Sequence, residues 1–125
     1  MSNRTKQKQL NKYFELHSEV CRSISHPRRL HILYSLEAGE MPVAELAKKV
    51  GFSGSSLSQH LNILKQANII RSRRRGRQLL YGIANPLVME AIHIMARVVR
   101  ETCHKNVEAM DLDEFDEQVG EKRET

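Results

Sequence analysis

The chain has 125 residues, enough to bury one hydrophobic core and too few for two comfortable domains. Its formal charge of +5 hides an asymmetry: eight acids against two bases lie beyond Lys105, so that stretch carries −6 and the body before it +11, the footprint of a polyanionic partner. Two cysteines cannot staple a disulfide scaffold, and the absence of Trp with only 5% aromatic residues leaves few platforms for stacking single-stranded bases.

The N-terminus MSNRTKQKQLNK lacks the apolar core of a secretory signal. No apolar run nears the roughly 18 residues of a membrane span, so a cytoplasmic protein with reduced thiols and no membrane partner is expected. From about Lys6 to Ile24, Leu10, Tyr13, Phe14, His17, Val20, Cys21 and Ile24 recur at steps of three and four and predict a first helix with one apolar stripe. SerHisPro at 25–27 breaks it, because the residue before a proline avoids the α region, and Pro27 suits the first turn of a second helix reaching about Glu37. Val43 to Val50 gives a short third helix ended by Gly51, and Ser55 to about Ala67 a fourth, with Ser53 or Ser55 as its N-cap.

Two short helices joined through a glycine-containing turn make a helix-turn-helix. In the fourth helix Leu57, Leu61 and Leu64 share a face, which turns Ser55, Ser56, Ser58, Gln59 and Asn62 outward, with His60 on the flank. Such a small, polar, nearly uncharged face suits a major groove, where Gln and Asn read adenine edges and Ser adapts to several bases. A merely solvated face would look similar, and the next segment decides between them. RSRRRGR, residues 71–77, holds five arginines between the β-type runs AsnIleIle and LeuLeuTyrGlyIle and reads as the charged tip of a two-stranded hairpin, with Gly76 at its reversal. Guanidiniums so crowded repel one another unless a polyanion neutralises them, which puts Arg73, Arg74, Arg75 and Arg77 on DNA phosphates.

A fifth helix starts near Pro86 and runs to at least His104, with Val88, Ala91, Ile92, Met95, Val98 and Val99 on a broad stripe. Two long amphipathic helices offer more apolar surface than one small core uses, so a homodimer is expected through Leu10, Tyr13, Phe14, His17, Ile92, Met95 and Val99. The expected fold is mainly α with a small β-hairpin, a winged helix-turn-helix of about five helices. Residues 1–105 form the DNA-binding and dimerisation domain, and 106–125 an acidic, disordered tail.

The segments SerHisProArgArgLeuHisIleLeu (25–33), ValAlaGluLeuAla (43–47), SerLeuSerGlnHisLeu (56–61) and ArgArgGlyArgGlnLeuLeuTyr (74–81) resemble the ArsR/SmtB family, bacterial and archaeal homodimeric winged-helix repressors. The resemblance runs from about Val20 to Val99. It implies a dimer built on helices one and five, major-groove reading by helix four, phosphate or minor-groove contact by the hairpin, and release of an inverted-repeat operator when an inducer arrives.

The inducer is left open. ValAlaGluLeuAla carries no cysteine where some members place a metal-thiolate motif, and the start of helix five lacks the Asp-x-His pair of zinc-binding members. Cys103, His104 and His93 are the candidates for a metal- or metalloid-responsive site. Cys103 and His104 are adjacent and point about 100° apart on a helix, and Arg97 and Arg100 oppose a cation, so a metal cofactor is not favoured. Tyr34 stands where members sensing reactive sulfur place a helix-two cysteine. Cys21 could replace it as the partner of Cys103 in a thiol switch, unless both are incidental, Cys21 in the core and Cys103 at a helix end. An architectural DNA-binding protein without a sensor remains the other reading. An enzyme is excluded, because no nucleophile and base pair, phosphate-cradling loop or cluster of acids is present in the body.

Overall fold

In the computed structural model, which describes residues 2–103, five helices surround a small three-stranded sheet. Helix α1 (Asn3–Ile24) is capped by Ser2, whose hydroxyl accepts from the Thr5 N–H at 3.2 Å. Helix α2 (Pro27–Leu36) takes His26 as its N-cap, the imidazole Nδ1 accepting the Arg28 N–H at 3.1 Å while Pro27 fills the first turn. Helix α3 (Val43–Val50) ends at Gly51, where φ of 79° permits the left-handed cap and the Gly51 N–H donates to the Ala47 carbonyl. Helix α4 (Gly54–Gln66) starts one residue earlier than expected and has Ser53 at its N-cap position. Helix α5 (Pro86–Thr102) is capped by Asn85, whose side chain accepts from the Leu87 N–H at 3.0 Å.

The core lies between α2, α3, α4, the sheet and the first half of α5. Ile32, Leu33, Leu46 and Leu64 are fully buried there, with Leu36 and Leu61 nearly so. Each such side chain contributes roughly 1.5–3 kcal/mol of burial. Ile92, expected on the dimer surface, belongs to this core: only 7% of it is exposed, whereas Met95, three residues on, is 60% exposed. The reason is that α5 docks by its N-terminal half, through Met89 and Ile92, and its stripe then continues past the end of the core. Helix α1 barely joins the core, with Ser23 its one buried residue.

The hairpin is not a two-stranded ribbon. Strands β1 (Met41–Pro42), β2 (Ile70–Arg75) and β3 (Gln78–Ile83) form an antiparallel sheet in the order β1-β3-β2. Met41 pairs with Tyr81 and Pro42 with Leu80, a strand too short for any periodicity to announce. The arginines also sit differently from a cluster at a tip. Arg71, Arg73, Arg74 and Arg75 lie within β2, and only Gly76 and Arg77 make the turn, closed by the Arg75–Gln78 pair, with Gly76 at φ 62°. Of the features expected from the sequence, His104 and the acidic 106–125 segment lie outside the described residues.

Candidate nucleic-acid interface

Leu57, Leu61 and Leu64 anchor α4 to the core and so fix which side faces out. At 3.6 residues per turn Ser55, Ser58, Gln59 and Asn62 fall within an arc of about 100° on the opposite side, and all four are exposed. Ser56 and His60 do not share that arc. Ser56 is half-buried and its hydroxyl accepts a hydrogen bond from Arg28 Nη1. The half-buried His60 turns back toward the start of α2, its ring 4.5 Å from that of His26 and 6.1 Å from Phe52, with Arg29 Nη1 3.5 Å from its Nδ1.

Burial first, and then the charges of His26, Arg29 and Arg28, lower the pKa of His60 below its ordinary 6.5. At neutral pH its imidazole is therefore uncharged, with Nδ1 positioned to accept from Arg29. His60 thus buttresses the helix-turn-helix from the flank of α4 and lies outside the exposed arc. The cluster it joins was not foreseen. The Arg28 guanidinium lies 4.6 Å over the Phe52 ring and reaches Ser56, which ties the first turn of α2 to the first turn of α4. Arg29 Nη2 donates to the Arg22 carbonyl, and Arg29 Nε is buried with no hydrogen-bond partner among the described residues. SerHisProArgArg was readable as a helix break, but its part in holding α4 depends on a partner 28 residues away.

Side chains alternate along β2, so Arg71, Arg73 and Arg75 share one face of the wing, Ser72 and Arg74 the other, and Arg77 projects from the turn. All five arginines are exposed, but they are not equivalent. Arg73 Nε donates to Glu40 Oε2 at 2.7 Å, and Arg71 Nε lies 3.5 Å from the Ile83 carbonyl. The Arg73 guanidinium beside it, reinforced by Arg71 and Arg75, holds the Glu40 carboxyl below its ordinary value against a smaller opposing effect of burial. Nothing in the sequence pattern had marked Glu40 for a role.

Leu10, Tyr13, Phe14 and Val20 on α1 and Ile94, Met95, Val98 and Val99 on α5 are exposed apolar side chains. His17 is exposed and 3.2 Å from the Tyr13 hydroxyl. Both cysteines are free, exposed thiols, which removes the option of Cys21 as a core residue. His93 Nε2 is bonded to the carboxylate of Glu37, the C-cap of α2, with Tyr34 edge-on at 5.7 Å, and its Nδ1 is buried. Among the described residues no three of His, Cys, Asp or Glu gather as a metal site. Among them too, no helix is long and apolar enough to cross a membrane.

The family model described as bacterial regulatory protein, arsR family, matches residues 26–72, from the N-cap of α2 into β2. Over 99 residues the chain is 30% identical to the uncharacterized HTH-type transcriptional regulator Rv0081 of Mycobacterium tuberculosis, covering 78% of this chain and 87% of that protein. It is 33% identical over 84 residues to the transcriptional repressor SdpR of Bacillus subtilis, covering 67% and 93%. The crystal structure of Rv0081 matches with a TM-score of 0.69 at 31% identity, over 76% of this chain and 96% of that one. The solution structure of the homodimeric winged helix-turn-helix DNA-binding domain Mb0332 from Mycobacterium bovis matches at 0.68 and 26% identity, over 82% and 90%.

Proposed function

Because the chain belongs to the arsR family of bacterial regulatory proteins, we propose that it is a DNA-binding transcriptional repressor whose homodimer seats the outward arc of α4 in the major groove and its wing arginines on flanking phosphates. It is not an enzyme. The observation that carries this reading is the α4 arc itself: four exposed, uncharged polar side chains on a helix fixed by three buried leucines, with the arginine wing following directly in sequence. Ser55, Ser58, Gln59 and Asn62 supply base contacts, Arg74, Arg75 and Arg77 supply phosphate contacts, and Arg28 holds Ser56 and the start of α4 in place.

These roles separate in binding experiments. Gln59→Ala is expected to cost about 1–3 kcal/mol on the preferred site and little on random DNA. Arg75→Gln is expected to weaken both alike and to flatten the dependence of log K on log salt by about 0.9 for each phosphate the wing no longer neutralises. Fluorescence anisotropy against both duplexes distinguishes them, and equal losses on both for Gln59→Ala would remove the base-reading role.

The inducing signal is best sought at the thiols. Cys21 and Cys103 are both exposed, Cys21 on α1 and Cys103 at the C-cap of α5, and both helices carry exposed apolar side chains. A dimer packed through those stripes holds the two recognition helices at a set separation, which a bond between these cysteines would alter.

A further inference from the structure

Glu40 stands immediately before β1, on one edge of the sheet, while Arg73 lies in β2 on the other, with β3 between them. Their ion pair therefore crosses the central strand, a span of about two strand spacings or 9.6 Å that the long arginine side chain covers. The crossing has a built path. Gly82 of β3 sits opposite Arg71, and a Cβ there would meet Glu40 Cγ at 2.9 Å, so a side chain at 82 would displace the glutamate from the face of the sheet. Leu80, opposite Arg73, is buried although it is not part of the main core cluster. The Glu40 side chain is only 25% exposed, against 50% for Arg73.

We propose that Glu40 is a positioning residue for DNA binding, a clasp that keeps Arg73 paired within the wing when DNA is bound and leaves phosphate contact to the neighbouring arginines. The inference rests on the DNA-binding reading above. Its chemistry is a competition between one fixed carboxylate and a mobile phosphate for the same guanidinium. The carboxylate has the advantage of being attached and aligned on Nε. The clasp also cancels one charge in the row Arg71, Arg73, Arg75, reducing repulsion along that face and limiting attraction for DNA of any sequence.

The test is the salt dependence of binding of the full chain to a random-sequence duplex of about 30 base pairs, read by anisotropy. The proteins are wild type, Glu40→Gln, Arg73→Gln, the double variant, and Arg75→Gln as reference. Expected are a slope close to wild type for Arg73→Gln, a slope steeper by about 0.9 per wing with tighter binding for Glu40→Gln, and return to the wild-type slope in the double variant. A slope flattened by Arg73→Gln as much as by Arg75→Gln, with Glu40→Gln unchanged, overturns the clasp, because Arg73 then leaves Glu40 for phosphate. Arg73→Lys, which keeps the charge but loses the Nε donor, guards against a folding artefact: the clasp predicts an unchanged melting temperature and a slope at least as steep as wild type, and a flatter slope counts against it. If Arg75→Gln changes nothing, the DNA-binding role of the wing fails independently of Glu40.

Discussion

His60 in the helix-turn-helix and Glu40 beside the wing are two titrating groups of the same DNA-binding unit, with shifts of the same sign and different pH windows. Burial, and after it the charges of His26, Arg29 and Arg28, lower the pKa of His60 below 6.5, so in the window from 6.5 downward the unfolded chain binds more protons than the folded one. Folding stability then falls as the pH drops below about 6.5. The Glu40 contribution is present above its ordinary 4.5 and is lost only as the pH falls further, through its lowered folded value. A melting series between pH 7 and pH 5 should therefore show a decline that His60→Gln reduces and Glu40→Gln leaves in place. Equal pH dependence in wild type and His60→Gln would contradict the buttress role. The sequence placed His60 on the flank of α4, but which flank meets His26 is decided by how α2 packs, and no local pattern carries that.

At the scale of elements, α5 is two helices in function. Its first half is core and its second half carries an apolar stripe with nothing over it among the described residues. Ile92→Asp should destabilise the fold by about 3 kcal/mol or more, since a charge enters a closed core. Met95→Asp should leave the melting curve of a folded protomer but shift the chain to monomers in sedimentation. A folded Ile92→Asp protein, or a dimeric Met95→Asp protein at micromolar concentration, would show the boundary to be misplaced. The helices were legible because Leu, Ile and Val recur at steps of three and four, and Pro27, Gly51 and Pro86 mark their ends. The division of α5 was not, because an interface stripe and a core stripe have the same spacing. The two-residue β1 and the clasp it positions were equally hidden, being set by pairing with a strand 40 residues downstream.

For the whole molecule, the positive body, the α4 arc and the wing fit one polyanion, and the uncovered faces of α1 and α5 fit a second copy of the chain. If the cysteines meet across those faces, treatment with diamide or polysulfide should lower operator affinity, a thiol reductant should restore it, and Cys21→Ser or Cys103→Ser should abolish the response. A direct disulfide requires Cα atoms within about 7 Å, and an unchanged oxidant response in both serine variants would place the signal elsewhere. The broad outline was readable because charge and periodicity survive without three-dimensional information, whereas the pairing state of each arginine does not.

The most direct measurement is a hydroxyl-radical footprint of the full chain on the DNA upstream of its own gene, with binding to a scrambled duplex measured at the same salt. A twofold dimer presenting two α4 arcs predicts an inverted repeat with half-sites about 10 base pairs apart or a multiple of that, bound about 10³-fold or more above the scrambled duplex. Uniform protection without a preferred site, or one unsymmetrical half-site at saturation, would contradict the account.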